Sequence, residues 1–144
     1  MRLSKNFTLE EMTYSDTAKR YGYHNYPNTE AIKNLGYLTQ NFLQPLRDKI
    51  NKPILILSGY RSELVNQKVG GAKTSQHKYG QAVDIKVKGW SSYTLYEFIK
   101  QSGLDYDQLI LEKTKIAEWV HISYTKHNRK MNLIYKDRRY YTSD

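Results

Sequence analysis

Residues 58–85 read SGYRSELVNQKVGGAKTSQHKYGQAVDI, and the second half of this stretch decides how the chain folds. Side chains alternate between the two faces of a strand. Ala82, Asp84 and Lys86 therefore share one face of a predicted strand over 81–87, and Val83, Ile85 and Val87 share the other. The apolar face needs a core, so Asp84 points away from it. His77 lies seven positions before Asp84, across a turn at Gly80 that lets it fold back toward the carboxylate. An open metal site of the catalytic kind needs a third ligand and a base. Further along, the chain supplies both residue types in Glu118-Trp119-Val120-His121.

The flanking segments predict the rest of the fold. Ile54–Leu57 is a short apolar strand that delivers Ser58-Gly59-Tyr60-Arg61. Glu63–Val69 is predicted as a short helix closed by Gly70-Gly71, and residues 72–75 as a loop leading to His77. Upstream, Thr8 with Glu11 three positions later forms a capping box. Residues 16–27 have no strong period and predict a surface loop or short helical turn, with His24 a surface residue. Asn28-Thr29 caps the longest amphipathic segment, with Ile32, Leu35, Leu38, Phe42, Leu43, Leu46 and Ile50 at helical spacing. Pro45 inside that pattern predicts a kink or break near residues 41–44. Ser91-Ser92 caps a further helix ended by Gly103. Residues 107–112, 120–124 and 131–135 read as strands, the last of them the final one, with a mobile Arg/Tyr-rich end beyond it. His127 is expected at the surface. These elements predict one α+β domain over 1–144, with a mostly antiparallel sheet flanked by helices.

Composition narrows the chemistry. The chain has no cysteine, so zinc could be held here only by His and carboxylate ligands, and there are four histidines. No apolar run is long enough to span a bilayer, and the polar first nine residues lack a secretory h-region. The net charge of +9 comes from lysines and arginines spread along the chain, densest over 126–139. Most of it reads as a solvated surface; the excess is compatible with nucleic acid, an anionic membrane or an anionic cell wall, and favours adsorption to wall polymers, whereas no nucleic-acid-binding motif accompanies it. A monomer without specific nucleic-acid or membrane partners is expected. The 14 tyrosines could stack on sugars or bases and do not discriminate.

Taken singly, each candidate has a plain structural reading. His77 could be a loop histidine, Asp84 a salt-bridge carboxylate, His121 a core histidine, and Arg61 a surface partner of Glu63. Taken in order, SGYRS, VGG, SxHxxGxAxD, DQLILE and EWVH resemble the zinc D-Ala-D-Ala carboxypeptidase family. They are most similar to its small single-domain branch, which is common in bacterial and phage genomes. FTLEE (7–11), SDTA (15–18) and LQPLR (43–47) extend the resemblance over residues 7–124.

The resemblance implies a hedgehog/DD-peptidase fold and one Zn²⁺ on His77, Asp84 and His121 with a fourth position open; such a set also accepts Mn²⁺ or Co²⁺. It implies that Glu118 is the catalytic base, that Arg61 binds the substrate carbonyl or the oxyanion, and that Ser75 contacts substrate. Asp107, Gln108 and Glu112 are expected to orient a ligand imidazole. A regular strand would set residues 118 and 121 on opposite faces, so Glu118 is expected in a turn or bulge just before the strand. The implied activity is hydrolysis of an amide in peptidoglycan stem peptides, of carboxypeptidase, dipeptidase or endopeptidase type. With no signal segment, such an enzyme would be made in the cytoplasm and reach the wall after release, as a phage endolysin or virion component does. A wall-binding or virion structural domain that keeps the zinc fold is the alternative. A third, nucleic-acid binding driven by charge, would show as salt-sensitive DNA binding indifferent to metal.

Overall fold

A computed structural model of the chain describes residues 1–143. Two short strands, β1 (Arg2–Ser4) and β2 (Phe7–Thr8), pair antiparallel at the start. Helix α1 (Leu9–Thr13) follows through the predicted capping box, with the Thr8 hydroxyl and the Glu11 carboxylate each accepting from the other's backbone N–H at 3.2 Å. The weakly patterned segment after it holds α2 (Asp16–Tyr21), capped by Ser15. Helix α3 (Thr29–Leu38) is capped by Asn28, and α4 (Gln44–Ile50) carries Pro45 in its first turn. A π-helical turn over Thr39–Leu43 separates the two. Proline has no N–H to offer the carbonyl four residues back, and the helix absorbs the defect by widening one turn.

The remaining elements build the main sheet and its supports: β3 (Ile54–Ser58), α5 (Glu63–Lys68), a 3₁₀ turn (Gln76–Tyr79), β4 (Ala82–Val87), α6 (Ser92–Lys100), β5 (Gln108–Lys113), β6 (Glu118–Ser123), β7 (Met131–Lys136) and β8 (Arg139–Thr142). The strand order is β3-β4-β6-β5-β7-β8. This sheet is mixed, which corrects the mostly antiparallel sheet expected: β7 runs parallel to β5. After β6 the chain crosses through residues 124–130 and returns beside β5. The end predicted to be mobile is instead strand β8, paired antiparallel with β7, so β7 is not the last strand.

Alternation along the strands gives the sheet two unlike faces. Val83, Ile85, Val87, Val120, Ile122, Leu109 and Leu111 are buried in one core with Leu35, Leu38, Phe42, Leu46, Leu95, Tyr96 and Ile99 from the helices. Each such large side chain, fully buried, contributes about 1.5–3 kcal/mol. Tyr106 is buried at the edge of this core, edge-on to Phe42, with its hydroxyl bonded to Asn132. The other face carries Asp84 and His121. Gly80, at φ +71°, brings the 3₁₀ turn so close to α3 that an added Cβ would lie 2.4 Å from the Ala31 carbonyl oxygen. His24 and His127 are both exposed, as expected.

Asp107, just before β5, joins two separate loops. Its carboxylate accepts from the backbone N–H and the guanidinium of Arg129, at 3.0, 2.9 and 2.8 Å, and from the Gln76 amide at 3.0 Å. The bonds from Arg129 outweigh burial and hold the Asp107 carboxyl at a pKa of about 2. A carboxylate whose pKa is depressed on folding stabilises the fold above its unfolded value near 3.9, and loses that contribution as pH falls toward 2. The Arg129 side chain is 57% exposed, so solvent screens the pair and about 1–2 kcal/mol is at stake. Asp107→Asn should destabilise the protein by that amount near neutral pH. It should also flatten the fall in stability between pH 4 and 2, as read from urea midpoints across that range.

The β7–β8 connection places Asp137 and Arg138 at φ 52° and 62°, between the paired residues Lys136 and Arg139. A two-residue hairpin turn with both central residues left-handed favours glycine at the second. Arg138→Gly should therefore raise stability by about 0.5–1 kcal/mol in thermal or urea unfolding.

Candidate metal centre

The candidate ligands come from a turn and two neighbouring strands. In the β4–β6 pairing Asp84 lies directly opposite His121. The 3₁₀ turn carries His77 over the end of β4, its backbone N–H capped by the Ser75 hydroxyl at 3.2 Å. His121 Nδ1 lies 3.0 Å from Asp84 Oδ1, and His77 Nε2 lies 3.4 Å from the same oxygen. One donor atom from each of the three residues falls within 4.8 Å of the others, and His77 and Asp84 are buried. Two imidazole nitrogens and a carboxylate oxygen, converging with no thiolate present, match the donor set of a Zn²⁺ ion with one position left for another ligand.

The surroundings prepare these groups for a cation. The Gly59 carbonyl accepts a hydrogen bond from His77 Nδ1–H at 2.7 Å, which fixes the tautomer and leaves Nε2 free to ligate. That contact depends on Gly59 being glycine: a Cβ there would lie 2.2 Å from the Met12 carbonyl oxygen. Burial lowers the pKa of His77 against the opposing pull of Asp84, so the ring is kept in the neutral form that binds metal. For Asp84, burial works to raise the pKa. The two imidazoles beside it, His77 foremost and then His121, outweigh it and hold the carboxyl far below the usual range.

Arg61 sits beside the group as expected. Its guanidinium donates to Asp84 Oδ2 at 3.3 Å, to the Ser58 hydroxyl at 3.1 Å and to the Asn66 side-chain oxygen at 3.5 Å, and its backbone N–H bonds the His77 carbonyl at 3.0 Å. It does not pair with Glu63, which binds Lys78 at 2.7 Å instead. Two asparagines with no distinguishing sequence signal support it. Asn66 is buried and ties its amide to the Ala72 carbonyl. Asn25 bonds the Thr13 and Tyr60 carbonyls and receives the Ser62 N–H at 2.7 Å, which pins both sides of Arg61. Ser75 lines the same cleft.

The structure does not bring Glu118 to this group. It is the first residue of β6, in regular register opposite Lys113 rather than in a turn or bulge. Three positions from His121 it faces the other side of the sheet, with a 47% exposed side chain 4.0 Å from the Lys113 ammonium. The second carboxylate of the cleft, besides Asp84, belongs to Glu112. It stands two residues beyond Ile110, the β5 partner of His121, and so on the same face. Burial raises the pKa of Glu112, the charge of Asp84 adds to this, and His121 and Arg61 oppose it without cancelling it. The buried indole N–H of Trp119, its register partner, lies toward the carboxylate without closing a full hydrogen bond. Asp107 orients no imidazole. It holds Gln76, the neighbour of His77, and Gln108 lines the cleft.

One similarity to a curated protein is short. The zinc D-Ala-D-Ala carboxypeptidase of Streptomyces albus G is 46% identical over 44 residues, 30% of this chain and only 17% of that protein. The family similarity is broad. The peptidase M15 model matches residues 5–123, a span that holds His77, Asp84, His121, Arg61 and Glu112 and ends with β6. With the candidate ligands, the arginine beside them and most of the sheet inside that match, the chain belongs to the peptidase M15 family.

Proposed function

We propose that the protein is a zinc peptidase that hydrolyses an amide bond in peptidoglycan stem peptides, as a D-Ala-D-Ala carboxypeptidase or an endopeptidase, with Glu112 as its general base. The observation that carries this reading is the position of a half-buried carboxylate, Glu112, on the strand next to His121 and on the same face of the sheet as the three converging candidate ligands. His77, Asp84 and His121 would hold the ion, which when bound supplies Lewis acidity toward the substrate carbonyl and acidifies water in the site.

The chain's own residues then divide the remaining work. Glu112, its pKa raised by burial, takes the proton of the attacking water and returns it to the departing amine, a task best served by a pKa drawn toward the working pH. Arg61, locked by Ser58, Asn66 and Asp84, keeps a fixed positive charge at the cleft, where negative charge develops on the carbonyl oxygen. Ser75 is held to the His77 turn and meets the substrate chain there. The net charge of +9 suits a polyanionic wall.

Glu112→Gln should lower turnover at least about 100-fold while zinc stoichiometry stays at wild type. Glu118→Gln should stay within about threefold of wild type, since its carboxylate faces away. Normal activity in the first variant would refute the role of Glu112. For the activity itself, purified peptidoglycan is digested with and without a chelator and with zinc add-back. Zinc-dependent fragments should appear, and their masses and new termini name the bond. Zinc binding and sedimentation with the wall, but no released fragment, would replace the peptidase reading with a wall-binding domain.

A further inference from the structure

Two residues that face the metal centre lie outside the span shared with the family. Tyr135 on β7 and Tyr140 on β8 both line the cleft that holds His77, Asp84 and Glu112. Their placement follows from register. Trp119, Glu112, Tyr135 and Tyr140 are partners in turn across β6, β5, β7 and β8, and form one row on the open face of the sheet. The adjacent row holds Asp84, His121, Ile110 and Leu133. The two tyrosine rings stand 4.8 Å apart and tilted by 55°, as an angled pair. Tyr140 is 60% exposed on a strand whose outer edge is unpaired. Partial burial and then the charge of Glu112 raise the Tyr140 phenol above its usual range, so it remains a hydrogen-bond donor.

Such a pair offers ring faces and hydroxyls together. That suits a ligand with its own apolar faces and polar rim, as a pyranose has. Stem-peptide residues offer methyls and charges but no ring, whereas the glycan that bears the peptide offers a chain of rings. We propose, resting on the peptidoglycan reading above, that the β7–β8 hairpin forms a sugar subsite at the end of the metal cleft, with Tyr140 and Tyr135 stacking on an N-acetylhexosamine of the glycan. The backbones of β7 and β8 lie two and three strands from that of β6, about 10 and 14 Å, a distance that a short extended stretch of stem peptide bridges between the cut amide and the sugar.

The test uses the full chain and two probes. Binding of the N-acetylglucosamine tetrasaccharide is followed by NMR, and hydrolysis is compared on a stem peptide with and without its disaccharide. Wild type should bind the tetrasaccharide saturably. Tyr140→Thr, which keeps strand propensity at an exposed edge position, should weaken that binding at least tenfold, and Tyr140→Phe should retain it. Tyr140→Thr should also raise KM about tenfold for the disaccharide-linked peptide, with kcat within twofold and the sugar-free peptide unaffected. No tetrasaccharide binding by wild type, undiminished binding by Tyr140→Thr, or an equal KM rise on both peptides would overturn the subsite. The binding arm needs no turnover, so it decides the sugar subsite even if the peptidase reading fails.

Discussion

A single carboxylate oxygen, Asp84 Oδ1, faces two imidazole nitrogens, and most of the structure around the cleft is arranged to make that contact possible. A buried carboxylate is costly unless paired. Asp84 is paired three ways, with His77, His121 and Arg61, and each partner is fixed in turn by backbone. The His77 ring is held by the Gly59 carbonyl, Arg61 is held through its own N–H by the His77 carbonyl, and His121 is held by the β4–β6 ladder. The core behind the sheet supplies rigidity: Val83 and Ile85, which flank Asp84, and Val120 and Ile122, which flank His121, are fully buried. Charge, tautomer and packing thus converge on one set of donor atoms.

Much of this was legible in the sequence. The alternation in residues 82–87 identified both the strand and the face that carries Asp84, and Gly80 marked the turn that returns His77 toward it. Pro45 announced the break in the long helix, although not that a π turn would absorb it. The capping box and the helix caps were readable because they are local, set by residues three apart. The ligand group was readable because a resemblance ordered residues that spacing alone could not bring together.

What escaped was long-range. Whether Glu112 or Glu118 enters the cleft depends on the pairing of β5 with β6, a register that no single segment encodes. The parity of positions 118 and 121 already placed them on opposite faces, and the strand proved regular, so the local rule held where the motif-based expectation did not. The parallel return of β7 beside β5 rests on a crossover anchored by Asp107 and Arg129, two residues 22 apart that look unremarkable in the chain. Asn25 and Asn66 were invisible for the same reason. Their role is to satisfy backbone groups around Arg61, and one asparagine among many carries no mark of it.

The doubly engaged Asp107 also bears on how the cleft moves. Its carboxylate binds Gln76 beside the His77 turn and Arg129 in the β6–β7 crossover. Both segments are tied to the same carboxylate, so loss of that anchor frees the two together. Local unfolding that releases Asp107 would therefore expose the amide protons of both segments together.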